Sequence, residues 1–217
     1  ENKKHYAEVL GLDLENKKRQ EMELEILKEA LDYIEAHIDI KNEGVKNAGA
    51  SNTTILLGWK YGIIVGIIDI FKATFAVLAV LYLAEYFSIP QEAKTLYVYV
   101  TVLFVIIGHN FPITMKFQGG KGTASLVGSL LVIDWKIAVI GIGVLLLVSL
   151  LTDYLVIGVL FMYIAFFVST FVLYDVIPEI IAGILLILSF LKHLENYRRI
   201  INKDERKISS MFKKKAS

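Results

Sequence analysis

A histidine, an amide and a Gly-Gly-Lys-Gly run occur together in residues 108–125, GHNFPITMKFQGGKGTAS, between two apolar segments. Glycine permits positive φ and close approach of backbone N–H groups to a phosphate, and Lys121 adds positive charge. A helix beginning near Thr123 would point its N-terminal N–H groups at the same anion. The run is not a Walker A loop, which requires glycine at Met115 and Ser or Thr at Gly122. The pattern predicts a phosphate site, and the alternative is a glycine-rich turn with an interfacial lysine.

Two further segments carry small residues, side-chain amides and cations, which suit an anionic substrate at a membrane surface. They are EGVKNAGASNTT at 43–54 and KHLENYRRI at 192–200. Asp69 and Lys72 lie three residues apart, hence on one helix face, and they either neutralise each other or have a functional role. Taken singly, His109 is also consistent with a structural histidine, and residues 192–200 with a helix that binds anionic lipid.

The composition is that of a membrane protein. Of the 217 residues 55% are hydrophobic, and the mean hydropathy is +0.56, more apolar than a soluble domain of this size. Cysteine is absent from the sequence, which excludes disulfides, a thiolate nucleophile and cysteine-based metal sites. We predict neither a metal site nor another cofactor.

Six apolar runs predict an all-α bundle of about six transmembrane helices. A span needs about 20 apolar residues, because each adds about 1.5 Å of helix against a hydrocarbon core of about 30 Å. One run, 123–133, is short, and we interpret Asp134-Trp135-Lys136 after it as a tight interfacial turn. Five spans are the alternative. The runs lie at about 62–87, 96–112, 123–133, 137–152, 154–174 and 177–191.

The distribution of positive charge predicts the orientation. Lys and Arg near the ends of spans favour the cytoplasmic side. An even number of spans places both termini on the side that holds Lys60, Lys116, Lys121 and the basic segment 192–217, which contains nine basic and three acidic residues. We therefore expect both termini in the cytoplasm.

Residues 1–37 are expected to form a separate amphipathic segment. Leu24, Leu27, Leu31 and Ile34 follow helical spacing within 15–37, with charges elsewhere. The charge density excludes a span. The helix is predicted to lie on the membrane surface or on the cytoplasmic face of the protein, and binding of a partner is the alternative.

The order NAGASN, DIFK, GHNFP…FQGGKG and HLENYRR resembles the bacterial acyl-phosphate:glycerol-3-phosphate acyltransferase family. The resemblance covers about 38–207, which leaves 208–217 as a basic tail, and it is strongest in 108–122. It implies an integral protein of the bacterial cell (inner) membrane that transfers a fatty acyl group from acyl phosphate to glycerol 3-phosphate, giving lysophosphatidic acid for phospholipid biosynthesis. The implied partners are these two substrates and membrane lipid, with no nucleic acid.

The resemblance also implies roles for residues at matching positions. Because acyl phosphate is already activated, positioning and charge stabilisation could suffice without an acyl-enzyme. Asn47, Ser51 and Asn52 are expected to hydrogen-bond a substrate or the loop itself. The candidate catalytic residues are Lys121, His109, Ser51 and His193. The candidates for substrate and phosphate binding are Asn47, Gly49, Asn52, Gly119, Gly120, Gly122, Asn196 and Arg199, and the intramembrane pair is Asp69 and Lys72.

The sequence departs from the family in its first motif. Val45 and Lys46 stand where serine and glycine are common, and Ile55 stands where arginine is common. We expect weaker binding of the phosphorylated acceptor, with Lys46 restoring some positive charge. The family usually has a span directly before residues 38–40, and its place is taken here by the charged helix 15–37. A diverged enzyme for another phosphorylated acceptor or acyl donor, and a catalytically silent lipid-phosphate binder or scaffold, are the alternative functions.

Overall fold

The computed structural model describes residues 39–212, which are helical and contain no strand. The predicted all-α class is confirmed. The predicted helix 15–37 lies outside the described residues, and the division at 37 and 207 stays a prediction. The described helices are α1 Ala50–Leu57, α2 Trp59–Tyr86, α3 Gln91–Asn110, a 3₁₀ turn Ile113–Met115, α4 Thr123–Ile133, α5 Trp135–Thr152, α6 Leu155–Leu173, α7 Val176–Lys192, α8 Leu194–Ile201 and α9 Ile208–Phe212.

Four of these helices are long and apolar enough to cross a membrane. They are α2 with 28 residues, α3 with its following 3₁₀ turn at 25, α5 with 18 and α6 with 19. Helices α7 and α8 satisfy the same requirement as a pair that bends by 49°. Helix α4 has 11 residues, about 17 Å at 1.5 Å per residue, against a hydrocarbon core of about 30 Å. Among residues 39–212 the candidates therefore number four, or five with the bent pair, and the six-span count stays a prediction.

The predicted turn between α4 and α5 is confirmed. Asp134 is extended and caps α5, since its Oδ1 accepts a hydrogen bond from the backbone N–H of Lys136 at 2.7 Å. Trp135 is 68% exposed at the start of α5. An aspartate at this position satisfies a backbone donor that a helix start leaves without a partner.

The short helix α4 is held inside the bundle by close contact with α2. A Cβ on Gly128 would overlap the carbonyl oxygen of Ile70, so the two backbones touch. Thr74 Oγ1 donates to the carbonyl oxygen of Gly128 at 2.9 Å. Leu126 and Leu130 are completely buried in the core that α4 shares with α3, α6 and α7. This packing fixes α4, and hence the glycine-rich loop that precedes it.

The outward face of α2 is apolar. Ile68 is 58% exposed and Phe75 is 62% exposed, whereas Ala73 and Val77 of the same helix are completely buried. A continuous exposed apolar surface of this kind is typical of a protein that contacts lipid.

Candidate active site

The loop at residues 39–49 is folded around the side chain of Asn52, which is completely buried. Its Oδ1 accepts from the backbone N–H of Val45 at 2.8 Å. Its Nδ2 donates to the carbonyl oxygens of Ile40, Glu43 and Asn47 at 2.7, 3.0 and 2.9 Å. Both groups of the amide are therefore used by the loop. Of the two predicted alternatives for Asn52, substrate contact or loop contact, the geometry favours the loop.

The glycine-rich loop packs tightly against the end of α3. The N–H groups of Gly119 and Gly120 donate to the carbonyl oxygens of Asn110 and His109, each at 3.2 Å. A Cβ on Gly119 would overlap the carbonyl oxygen of His109, and one on Gly120 would overlap its imidazole. These two glycines are needed because the chains approach closely.

This geometry corrects the predicted phosphate cradle. Of the three glycines, Gly122 alone has positive φ, at 83°, and the N–H groups of Gly119 and Gly120 are already hydrogen-bonded to α3. Within residues 39–212 the backbone N–H groups of Lys121 and Gly122 have no protein acceptor. They are the loop donors that remain for an anion, next to the N-terminus of α4.

His109 joins the glycine-rich loop to the charged pair in α2. Its Nδ1 lies 2.7 Å from Lys72 Nζ and 3.4 Å from Asp69 Oδ1, and Lys72 Nζ donates to Asp69 Oδ1 at 2.6 Å. Nε2 of the same ring faces Gly120. The predicted pair of Asp69 and Lys72 is thus formed. His109 contacts this pair on one side and the glycine-rich loop on the other.

The Lys121 side chain contacts α8. Its ammonium donates to Asn196 Oδ1. Asn196 Nδ2 in turn donates to Glu205 Oε1 at 2.6 Å, and Arg199 Nε donates to Glu205 Oε2 at 2.8 Å. Burial, with a smaller contribution from the neighbouring Arg199 guanidinium, lowers the pKa of Lys121 to about 8. Three predicted residues, Lys121, Asn196 and Arg199, thus belong to one network.

Glu205 was not predicted from the sequence. The backbone reverses after α8, with Lys203 at φ 63°, and the N–H groups of Asp204 and Glu205 donate to the carbonyl oxygen of Arg199 at 2.8 and 3.2 Å. The reversal returns Glu205 to the two side chains it binds. The acidic pair Asp204-Glu205 in an otherwise basic segment is the sequence signal that could have indicated it.

The remaining predicted catalytic residues are His193, Ser51 and His109. His193 is buried at the bend between α7 and α8, where Nδ1 lies 2.8 Å from the carbonyl oxygen of Ser189 and donates to it. Ser51 is exposed on α1. Asn196 joins Lys121 to the helix that follows His193, and His109 contacts Gly120, the neighbour of Lys121. The catalytic roles of all four residues stay predictions.

The three predicted polar segments meet at one cavity of about 310 Å³, which we call the lysine cavity. Four lysines and no carboxylate line it, so its potential is positive and suits an anion. Gly49 contributes to the junction, since a Cβ there would lie 3.9 Å from Cα of Gly120 and 3.0 Å from Asn47 Oδ1. The lining residues are Lys41, Asn42, Lys46, Asn47, Phe117, Gln118, Gly119, Lys121 and Lys192.

Fold and site together define a class of protein: a bundle of apolar helices, several of them long enough to span a membrane, with a cavity lined by four lysines. The chain belongs to the glycerol-3-phosphate acyltransferase family, whose sequence profile matches residues 30–203. It is an integral membrane protein, as the predicted resemblance implied.

Individual relatives agree with this assignment. Glycerol-3-phosphate acyltransferase 1 of Oceanobacillus iheyensis is 62% identical over 180 residues, which are 83% of this chain and 87% of that protein. The glycerol-3-phosphate acyltransferase of Thermotoga petrophila is 34% identical over 182 residues, 82% of this chain and 86% of that protein. The crystal structure of PlsY (YgiH), an integral membrane glycerol 3-phosphate acyltransferase, in its glycerol 3-phosphate form, superposes with a TM-score of 0.70 and 27% identity over 82% of this chain and 88% of that one.

Proposed function

We propose that this protein transfers a fatty acyl group from acyl phosphate to glycerol 3-phosphate and so produces lysophosphatidic acid for phospholipid biosynthesis. The observation that carries the proposal is the lysine cavity, formed by the loop at 39–49, the glycine-rich loop and the end of α7 in a chain of this family. Relatives that cover more than four fifths of the chain are named for this acceptor.

The chemistry needs positioning and charge stabilisation more than it needs a nucleophilic residue. The acceptor hydroxyl oxygen attacks the acyl carbon, the bond from that carbon to the phosphate oxygen breaks, and phosphate leaves with the electron pair. The hydroxyl proton passes to a phosphate oxygen of a substrate, so no protein base is required. Positive charge near the departing phosphate lowers the barrier because negative charge grows there in the transition state.

Lys121 is the residue we assign to that stabilisation. Its partly buried ammonium is oriented by Asn196, and the backbone N–H groups of residues 121 and 122 in the same loop have no protein acceptor among residues 39–212. Arg199 and Glu205 hold Asn196 in turn, since Glu205 binds both. A charge fixed in this way needs little reorganisation when the reaction occurs.

The proposed location is the bacterial inner membrane, with both termini in the cytoplasm. Lys121 contacts Asn196, which contacts Glu205, and this supports a location of the glycine-rich loop and the C-terminal segment on the same side of the membrane. Two hydrogen bonds from Ser209 to the Asp153 carboxylate, at 2.8 and 2.7 Å, support the same side for the turn between α5 and α6. Glycerol 3-phosphate would then reach the lysine cavity from the cytoplasm.

A test of the activity uses the full chain purified in detergent or nanodiscs. We expect release of inorganic phosphate from acyl phosphate only when glycerol 3-phosphate is added, with lysophosphatidic acid detected by mass spectrometry. Glycerol replaces glycerol 3-phosphate in the control. Phosphate release that is equal with glycerol, or absent under all conditions from folded protein, would refute the proposal.

A further inference from the structure

Lys46 adopts a backbone conformation that favours glycine, and its side chain lines the lysine cavity. Its φ is 55°, in the left-handed region, where a Cβ raises the conformational free energy. The turn is fixed by a hydrogen bond from the Lys46 N–H to the carbonyl oxygen of Glu43 at 3.0 Å. Asn52 holds the flanking residues 45 and 47. The loop therefore presents a lysine at a position where glycine would be conformationally easier.

Three of the four lysines of the lysine cavity have a protein partner for their ammonium group. Lys41 Nζ lies 3.9 Å from Asp39 Oδ1. Lys121 is bound to Asn196. Lys192 lies over the Phe111 ring and donates to the carbonyl oxygen of Asn110 at 3.3 Å.

Lys46 has no such partner among residues 39–212, where none of the ion pairs or side-chain hydrogen bonds includes it. It is also exposed at the mouth of the cavity. Its ammonium is therefore available to an anion that enters from water.

The walls of the lysine cavity indicate which substrate it takes. Lysines, amides and a glycine line it, with Phe117 as the one apolar side chain among them. A fatty acyl chain in this cavity would lie against lysine ammonium and amide groups, which would be unfavourable for those groups. A small, water-soluble molecule with a dianionic phosphate matches both the polarity and the charge.

We infer that Lys46 is a specificity-determining residue of this chain, which binds the phosphate group of glycerol 3-phosphate at the mouth of the lysine cavity. The inference rests on the proposed acyltransferase function and adds the residue that selects the acceptor. Lys46 contributes to acceptor binding and leaves the acyl donor and the turnover step unaffected.

The test compares Lys46→Gly with a matched control, Lys116→Gly. Lys116 is also exposed and has φ 52°, but it does not line the lysine cavity. Both changes relieve the same backbone conformation and remove one lysine charge. We expect the Lys46→Gly KM for glycerol 3-phosphate to rise at least about fivefold, as for loss of a partly exposed charge-assisted contact. The KM for acyl phosphate and kcat should stay at wild-type values, and Lys116→Gly should match wild type throughout.

The outcomes distinguish failure of this inference from failure of the proposed function, and thermal melting verifies that each variant is folded. An unchanged acceptor KM in folded Lys46→Gly, or an equal rise in Lys116→Gly, would overturn the inference about Lys46. The proposed acyltransferase function would be unaffected by either result. A rise for both substrates would also overturn the inference, because Lys46 would then shape the whole site. Lys46→Arg should restore the acceptor KM if charge is what matters. Wild-type protein without acceptor-dependent phosphate release would instead overturn the proposed function.

Discussion

The imidazole of His109 occupies the space that a side chain at Gly120 would need. A Cβ on Gly120 would overlap Nε2 of His109, and on its other edge the ring is fixed by Lys72 and Asp69 in α2. The His109 side chain is only 7% exposed, so the ring has little room to move. The position of the glycine-rich loop therefore depends on a charged pair in another helix.

Replacement of Gly120 by alanine tests this dependence. We expect kcat/KM to fall at least about tenfold in Gly120→Ala, because overpacking at a rigid contact displaces the loop. The double variant Gly120→Ala with His109→Ala should recover part of the loss, since it removes the ring that the methyl group meets. The measurement is a double-mutant cycle on kcat/KM. Strictly additive losses would show that the two residues act separately.

Asn52 is expected to matter through the loop it holds. Asn52→Ala leaves three carbonyl groups and the Val45 N–H without their side-chain partner, and each unsatisfied buried group destabilises by about 1–3 kcal/mol. We expect a thermal midpoint several degrees lower and a higher KM for the acceptor. Asn202→Ala, at an exposed position after α8, is the control. A wild-type melting temperature with a raised KM would indicate direct contact between Asn52 and substrate.

Sequence and structure agree on features that depend on local sequence alone. The apolar runs predicted the bounds of the long helices to within a few residues. The turn after α4 was also predicted, and there the Asp134 carboxylate caps α5. The direction of the N–H groups in the glycine-rich loop could not be predicted, since it depends on how close the loop lies to α3. Glu205 was missed because the acidic pair Asp204-Glu205 does not by itself show that the chain reverses at Lys203 and returns the carboxylate to Asn196 and Arg199.

The topology can be measured with accessibility tags. Tags at residue 5 and residue 215 should both report the cytoplasm, and a tag at Glu92, at the start of α3, should report the outside. The physical reason is the positive charge on the side of Lys60, Lys116 and Lys121. Termini on opposite sides of the membrane would contradict the six-span prediction, because they require an odd number of spans.

We expect the activity at alkaline pH to depend on the charge of Lys121. Burial holds its pKa at about 8, with Arg199 and Lys192 lowering it and Glu205 and Glu195 raising it. The ammonium is thus mostly charged at pH 7 and loses its charge as pH rises through 8. We expect kcat/KM for the acceptor to fall on the alkaline side with a midpoint near this pKa. In Lys121→Arg this limb should vanish, because a guanidinium stays charged. Persistence of the same limb in that variant would assign it to another group.

Removal of the Lys121 side chain tests its catalytic role directly. If the ammonium stabilises the departing phosphate, Lys121→Ala should lower kcat by about 10²-fold or more, as expected for loss of one preorganised charge-stabilising donor. The control is Lys60→Ala, an exposed lysine at the start of α2 on the same predicted face, which should change kcat little. Asn196→Ala should give a smaller loss, because the ammonium remains but is no longer oriented by the amide. Wild-type turnover in folded Lys121→Ala would leave the glycine-rich loop as a turn between helices and transfer the stabilising role to the other cations of the lysine cavity.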